Sequence, residues 1–455
     1  MKNWLPHNLP YKRLRPLNQV RLKLSPPAVL ALGFMALIAL GSLLLMLPLA
    51  TTAPLTPLQA LFTATSAVTV TGLVVVDTGS HFTMFGQLVI AGLIQAGGLG
   101  FMTFAVVAVI SLGTRIGLTQ QKIAQEAMNQ TSLAQVAQIA KAVLLYSVVI
   151  EALGIVFLTI VWYQELGLST AFYHAFFYTI SAFNNAGFAL DSASLMPYAA
   201  SIPVNMIISG LFIVGGIGFT VLIDLKKHRR WQQLSVNTRL TLLASLYINL
   251  LAFFLIWLLE AQNPATLGAM ALPEQALAAW FQAVTPRTAG FNTLDYSQMT
   301  DATNVLTLLL MFIGGGSLST ASGIKLGTFV VLMMATYAFL RRRDEVCVLQ
   351  RTIPHQTVIR ALALTFVSLA LVFIAIFALT ALERAPFLDI AFEAVSALST
   401  VGLSRGLTAE LSTPGQFVVI FLMITGRLGP LTLAYFLATP KQRKSRYAET
   451  KIQVG

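Results

Sequence analysis

Long apolar runs recur along the chain, near residues 28–50, 83–112, 142–164, 202–223, 240–260, 304–340, 360–382 and 415–438. Crossing a bilayer takes about 20 apolar residues, so the pattern predicts eight membrane spans. Between the members of each successive pair lies a shorter, partly apolar stretch: Pro57–Val68, Thr170–Phe183, Pro273–Val284 and Phe387–Leu398. These are too short to cross and suit helices that enter the membrane and stop. The first apolar run, Ala28 to Ala50, follows a polar, basic segment, and its length predicts a retained anchor, not a cleaved signal peptide.

Each short stretch ends in a glycine-bearing turn. The four read Thr69-Val70-Thr71-Gly72-Leu73, Asn184-Asn185-Ala186-Gly187-Phe188, Arg287-Thr288-Ala289-Gly290-Phe291 and Ser399-Thr400-Val401-Gly402-Leu403. Successive glycines stand 115, 103 and 112 residues apart. A Ser-Ala pair precedes three of the turns (Ser66-Ala67, Ser181-Ala182, Ser396-Ala397). The third has Gln282-Ala283 and two extra residues before its glycine. A second glycine cluster follows in the next span, beginning at Gly97, Gly215, Gly314 and Gly426, at offsets of 25, 28, 24 and 24. Glycine is common in membrane helices, which accounts for its abundance but not for two landmarks held in phase. A fixed period of this kind marks an internal repeat. The expected organisation is a basic N-terminus (1–25), repeat 1 (26–141), repeat 2 (142–239), repeat 3 (240–359), repeat 4 (360–440) and a C-terminal tail (441–455).

Composition narrows the class. Of 455 residues, 56% are hydrophobic and 10% charged, with a mean hydropathy of +0.77. Soluble domains carry about 25% charge, so the composition excludes most cytosolic enzymes and points to a polytopic membrane protein. The single cysteine, Cys347, excludes an internal disulfide and a thiolate cluster. The net charge of +12 raises nucleic acid as a partner, but its placement argues otherwise. Segments 1–25, 113–141, 224–239, 341–360 and 441–455 hold 24 of the 29 basic residues and 5 of the 17 acids. Lys and Arg favour the cytoplasmic side, so both termini and the loops between repeats are expected there, in a multi-pass membrane protein, with no nucleic-acid role. Asp77, Glu165, Asp191, Glu274, Asp295, Asp301, Glu383, Asp389 and Glu410 then fall outside. They serve either to gather cations at an outer mouth or simply to keep external loops soluble. The five histidines show no metal-ligand spacing, and no nucleophile–base constellation is present, so no enzyme activity and no organic cofactor are expected.

Non-helical backbone survives at membrane depth only when buried in protein or lining a water-filled path. Small residues around the turn glycines leave the carbonyls unobstructed, and glycine admits positive φ. Four such turns in a ring would replace the water shell of a dehydrated cation with backbone oxygen, helped by the negative C-terminal ends of the short helices. The fourth turn carries T-V-G, the centre of the K+-channel filter. The candidate K+ filter is therefore Val70, Thr71, Gly72, Asn185, Ala186, Gly187, Thr288, Ala289, Gly290, Thr400, Val401 and Gly402, with K+ on backbone carbonyls. Tight helix caps are the simpler alternative.

The fourfold span–short helix–span pattern, over residues 25–440, resembles the superfamily of K+ transporters that includes TrkH, KtrB and the plant HKT proteins. Length, basic N-terminus and the lack of two further N-terminal spans resemble its KtrB branch. The resemblance implies an all-α polytopic membrane protein, K+-channel-like, with four span–pore helix–span repeats in pseudo-four-fold symmetry around one pore. It places the filter glycines at Gly72, Gly187, Gly290 and Gly402. It further implies K+ uptake with Na+ as activator or symported co-ion, a homodimer, and a cytosolic KtrA-like nucleotide-binding ring regulated by ATP or ADP.

The third post-turn span reads Gly314-Gly315-Gly316-Ser317-Leu318-Ser319-Thr320-Ala321-Ser322-Gly323-Ile324-Lys325. Three glycines and a Ser/Thr run make a poor helix. They predict a helix broken within the membrane, either a gate loop (314–325) below the filter, as the family resemblance also implies, or close packing through small residues. No phosphate-binding loop is formed, because Ile324 separates Gly323 from Lys325. Arg427 lies inside the last span, where a charge costs at least about 2.5–3.5 kcal/mol. It is expected either to hold the loop shut by donating to its carbonyls or to form a structural pair, with Glu151 one candidate. Lys325 either assists the gate or snorkels to the interface. Arg287, beside Gly290, is expected to pair with an acid, Glu274 or Glu393. A gated K+ conduit is the leading function; an alternating-access cation carrier built on the broken span is the alternative.

Overall fold

The computed structural model describes residues 26–100 and 133–429. Its longer helices are, in order, α1 (Pro26–Leu45), α2 (Pro57–Thr69), α3 (Met84–Gly98), α4 (Leu133–Leu166), α5 (Leu168–Phe183), α6 (Ile202–Ile217) and α7 (Phe219–Lys227). Then come α8 (Val236–Glu260), α9 (Leu272–Val284), α10 (Asp301–Phe312), α11 (Leu326–Leu340), α12 (His355–Leu382), α13 (Phe387–Ser399) and α14 (Thr413–Leu428). A small antiparallel hairpin, β1 (Cys347–Val348) with β2 (Arg351–Thr352), joins α11 to α12.

Helices α4, α8 and α12 are long and apolar enough to cross a membrane, as are α6 and α7 taken together. Large apolar side chains such as Leu258, Phe366, Phe373 and Phe377 stand out from them uncovered. On a membrane protein these are the faces that meet lipid. The short helices α2, α5, α9 and α13 lie within two residues of the stretches expected from sequence. Proline is at the start of α2 and α9, where its missing N–H costs nothing. At α2 the Thr56 hydroxyl accepts from Gln59 N while Gln59 accepts from Thr56 N, a reciprocal cap. The inner ends are wholly buried, Phe62–Thr69 in α2 and Ile390–Ser399 in α13.

Packing between repeats is cyclic. Helix α3 packs on α5 of repeat 2, α6 on α9 of repeat 3, α10 on α13 of repeat 4, and α14 returns to α2 of repeat 1. Four units thus close a ring about one axis, giving an all-α polytopic membrane fold.

Among the described residues, the post-turn span of repeat 2 departs from the sequence pattern. Residues 202–223 were expected to run unbroken, but α6 and α7 meet at 91°, with Gly218 at φ 110° between them. The expected break in 304–340 falls between α10 and α11. The basic segments 1–25 and 441–455, and most of 113–141, lie outside the described residues.

Candidate functional site

In every turn two positions have positive φ, with a residue of negative φ between them. The pairs are Val70 and Gly72 (φ 57° and 93°), Asn185 and Gly187 (60° and 70°), Thr288 and Gly290 (72° and 81°), and Thr400 and Gly402 (49° and 92°). Alternating hand gathers the N–H groups on one side of a strand and leaves the carbonyls on the other. In repeats 1 and 4 three consecutive N–H groups return to the short helix, and in repeat 2 two do, from Asn185 N to Ala182 O (3.0 Å) and Ala186 N to Ser181 O (2.8 Å). Val70 N donates to Ala67 O (3.1 Å) and Thr71 N to Ser66 O (2.8 Å), and Gly72 N donates to Ser66 Oγ (3.0 Å). Repeat 4 repeats this from Thr400 N to Ala397 O (3.2 Å), Val401 N to Ser396 O (2.9 Å) and Gly402 N to Ser396 Oγ (3.1 Å).

The freed carbonyls face the neighbouring turns. A Cβ on Gly72 would collide with the Ala186 carbonyl, one on Gly290 with that of Val401, and one on Gly402 with that of Thr71. On Gly187 it would lie 3.1 Å from the Ala289 oxygen and 2.8 Å from Gly290 Cα. The four turns therefore touch edge to edge in the order 1-2-3-4-1. All four glycines line one outer cavity of about 280 Å³, together with Asp77 and Asp191. Of the acids placed outside by the sequence, only these two line it. Asp389 is tied to Arg405, and Glu383 accepts from Ser412 N (3.1 Å) and Ser412 Oγ (2.6 Å), securing the start of α14.

Residues 313–325 fold back below the turns. Gly314 N donates to Ile324 O and Leu326 N to Gly315 O, both at 2.9 Å. The loop is seated on the broken helix of repeat 2. Gly316 N donates to Gly216 O (2.8 Å), Thr320 N to Gly215 O (3.3 Å) and Phe219 N to Leu318 O (2.8 Å). A Cβ on Gly218 would strike the Ser317 carbonyl. Thr320 Oγ1 donates to Asn185 Oδ1 (2.8 Å), joining loop and turn directly. Gly323 is left-handed at φ 67°. Lys325 Nζ donates to the Ala321 carbonyl. The Arg427 guanidinium donates to the Thr320 carbonyl, to Ser322 Oγ (3.3 Å) and, in the adjacent repeat 1, to Gly97 O (2.6 Å) and Gly98 O (3.0 Å). Loop residues, Lys325 and Arg427 line an inner cavity of about 260 Å³.

Two expected ion pairs are corrected. Arg287 meets no acid. It donates to Asn249 Oδ1 (2.7 Å) and Ser245 Oγ (3.1 Å). The two extra residues after α9 carry it inward toward α8, away from Glu274, which caps Ala271 N (3.3 Å), and from Glu393, which accepts from Ser404 (2.9 Å) and Thr408 (2.6 Å) hydroxyls. Nor does Glu151 reach Arg427. Gln95 and Asn184 take its carboxylate, while Arg427 is occupied by peptide carbonyls. Sequence reasoning gave no role to Ser66 and Ser396, although the Ser-Ala pairs marked their positions. It also missed the Asn185 side chain and the Gln95–Glu151 contact, which nothing in the linear sequence links.

Residues 29–447 match the family model for TrkH, a cation transport protein. The chain is 50% identical over 433 residues to the Ktr system potassium uptake protein B of Bacillus subtilis, covering 95% of this chain and 97% of that one. It is 36% identical over 446 residues to the potassium/sodium uptake protein NtpJ of Enterococcus hirae, covering 96% and 99%. In fold it is similar to the crystal structure of the potassium transporter TrkH from Vibrio parahaemolyticus, with a TM-score of 0.74 at 21% identity over 93% of this chain and 87% of that chain.

Proposed function

The chain belongs to the TrkH family of cation transport proteins, and from that premise we propose that it is a K+-uptake pore of the bacterial inner membrane whose filter is the ring of four glycine turns. The observation that carries this reading is the closed ring of four glycine turns, in which the carbonyls of Thr71, Ala186, Ala289 and Val401 each crowd the glycine of the neighbouring turn, while the N–H groups of repeats 1 and 4 are directed back to their helices. A bare K+ passing through exchanges water for those oxygens. Asp77 and Asp191 raise the local cation concentration at the outer cavity. Transport runs down the electrochemical gradient, to which the membrane potential contributes about 2.3 kcal/mol per charge per 100 mV.

Beneath the filter, residues 314–325 act as the gate, with Gly314, Gly315, Gly316, Ser317, Thr320 and Gly323 giving the loop its shape. Arg427 and Lys325 latch it through its carbonyls, and their charge opposes cations while it is closed. Na+ dependence is supported by the potassium/sodium relative, and control by a separate cytosolic nucleotide-binding subunit by the multi-component naming of the Ktr relative. We place both termini in the cytoplasm from the charge bias and take the working unit to be a homodimer with one pore per chain.

Substituting Gly290→Ser puts a side chain against the Val401 carbonyl. In proteoliposome flux measurements this variant is expected to lose K+ over Na+ preference. Unchanged preference with normal expression removes the filter from these turns.

A further inference from the structure

We propose that Glu151 is a positioning residue for the filter, acting through Gln95 to orient Asn184 and thereby the second strand of the ring. This rests on reading the four turns as the filter. The starting point is an asymmetry. Serine hydroxyls hold the Gly72 and Gly402 N–H groups in repeats 1 and 4. Ser181 holds the matching place in repeat 2, yet its buried Oγ has no partner among the described residues.

The second strand has a different tie. Asn184, fully buried and one residue before the left-handed Asn185, donates through Nδ2 to Gln95 Oε1 (2.6 Å) and to the Ile180 carbonyl (2.9 Å). Gln95 in turn donates through Nε2 to both carboxylate oxygens of Glu151, at 2.9 and 3.0 Å. Gln95 belongs to α3 of repeat 1 and Glu151 to α4 of repeat 2, so the chain of contacts crosses the seam where α3 packs on α5.

The carboxylate gives this chain its direction. An amide can sit either way round, and its neighbours decide which. The Glu151 carboxylate accepts only, so it draws the Gln95 NH2 and, at 3.4 Å, also faces the Asn184 NH2. That leaves Gln95 Oε1 facing Asn184, whose own NH2 must answer. Asn184 Oδ1 is thereby turned onto Gly98, where any Cβ would collide with it. Asn185 follows directly and receives Thr320 Oγ1 from the loop, and the next carbonyl, that of Ala186, abuts Gly72. A reversal at Glu151 therefore reaches a filter strand within two peptide units of Asn184.

The test is K+ and Na+ flux of the full chain in proteoliposomes. Glu151→Gln places an amide at the end of the chain and favours the reversed order. It is expected to raise the K+ half-saturation concentration about tenfold, the scale of one hydrogen bond to a charged group, and to weaken K+ over Na+ preference, with maximal flux held within about twofold. Gln95→Glu sets two carboxylates together and is expected to do the same. The double swap, Glu151→Gln with Gln95→Glu, restores both quantities, because the amide at 151 now donates to a carboxylate at 95 that still accepts from Asn184. An unchanged half-saturation in Glu151→Gln, or a loss confined to maximal flux or thermal stability, overturns the proposal. So does a well-folded swap that stays impaired. Should Glu151→Gln not fold, the swap decides alone, by wild-type or by impaired half-saturation. If Gly290→Ser leaves selectivity untouched, the filter reading itself falls. If Gly290→Ser alters it while Glu151→Gln does not, only the role of Glu151 is lost.

Discussion

Val70, Thr288 and Thr400 are β-branched residues in left-handed backbone, a conformation that costs about 1–3 kcal/mol each and persists only where its surroundings impose it. The imposition is visible in the return of three consecutive N–H groups to the helix end in repeats 1 and 4. The turn glycines were legible in the sequence because glycine is the residue that suits positive φ. Their strained companions two residues earlier were not, since a branched side chain is the last expected there. The partners of Arg287 were equally hidden: Ser245 and Asn249 lie some 40 positions away and carry no charge to betray them. The serine ties differ in a way that can be measured. Ser66→Ala and Ser396→Ala leave the Gly72 and Gly402 N–H groups without their acceptor, a loss of about 1 kcal/mol each. Both are expected to weaken K+ over Na+ preference in flux assays. Ser181→Ala removes a hydroxyl with no partner and is expected to leave selectivity unchanged; equal losses at all three positions would refute a role for the ties.

Element lengths were the most legible feature. A stretch of about a dozen apolar residues cannot cross a bilayer, and the four short helices fall where that rule puts them. The broken third span was equally open, because a Gly/Ser/Thr run cannot sustain a helix. The bend between α6 and α7 was not. Apolar residues continue past Gly218, and glycines inside a membrane helix are unremarkable in sequence. Its cause lies in another repeat. The bend leaves Gly215 O, Gly216 O and Phe219 N unpaired within their own helices, and residues 316–320 satisfy all three. The loop is therefore structural support as well as the proposed obstruction. Deleting Leu318–Ser322 is expected to raise K+ flux in proteoliposomes and also to lower the unfolding midpoint, because buried backbone groups lose their partners at about 1–3 kcal/mol each. A well-folded deletant with no rise in flux removes the gate.

At the scale of the whole molecule, the ring explains why two glycine landmarks run in phase through the sequence. Gly72, Gly187, Gly290 and Gly402 mark where strands meet edge to edge around the axis. Gly97, Gly215 and Gly426 mark where a post-turn helix meets the end of its own short helix. A Cβ on each would be driven into the carbonyl of Val68, Phe183 or Leu398, in every case the residue two before the left-handed position of the turn. Gly314 keeps the spacing but not the contact, for its Cβ would meet the Ser322 carbonyl inside the loop. Repeat 3 has thus kept the landmark in the sequence while moving its structural duty from filter to loop. Substitution with alanine separates the two duties. Gly97→Ala, Gly215→Ala and Gly426→Ala push on the base of a filter strand, with an overpacking cost of about 1–3 kcal/mol, and are expected to lower both the unfolding midpoint and K+ over Na+ preference. Gly314→Ala strains the loop against itself and is expected to change the size of the K+ flux while leaving ion preference as it was. A loss of preference at Gly314 equal to that at the other three would mean the loop is part of the filter and the division of labour between repeats does not exist.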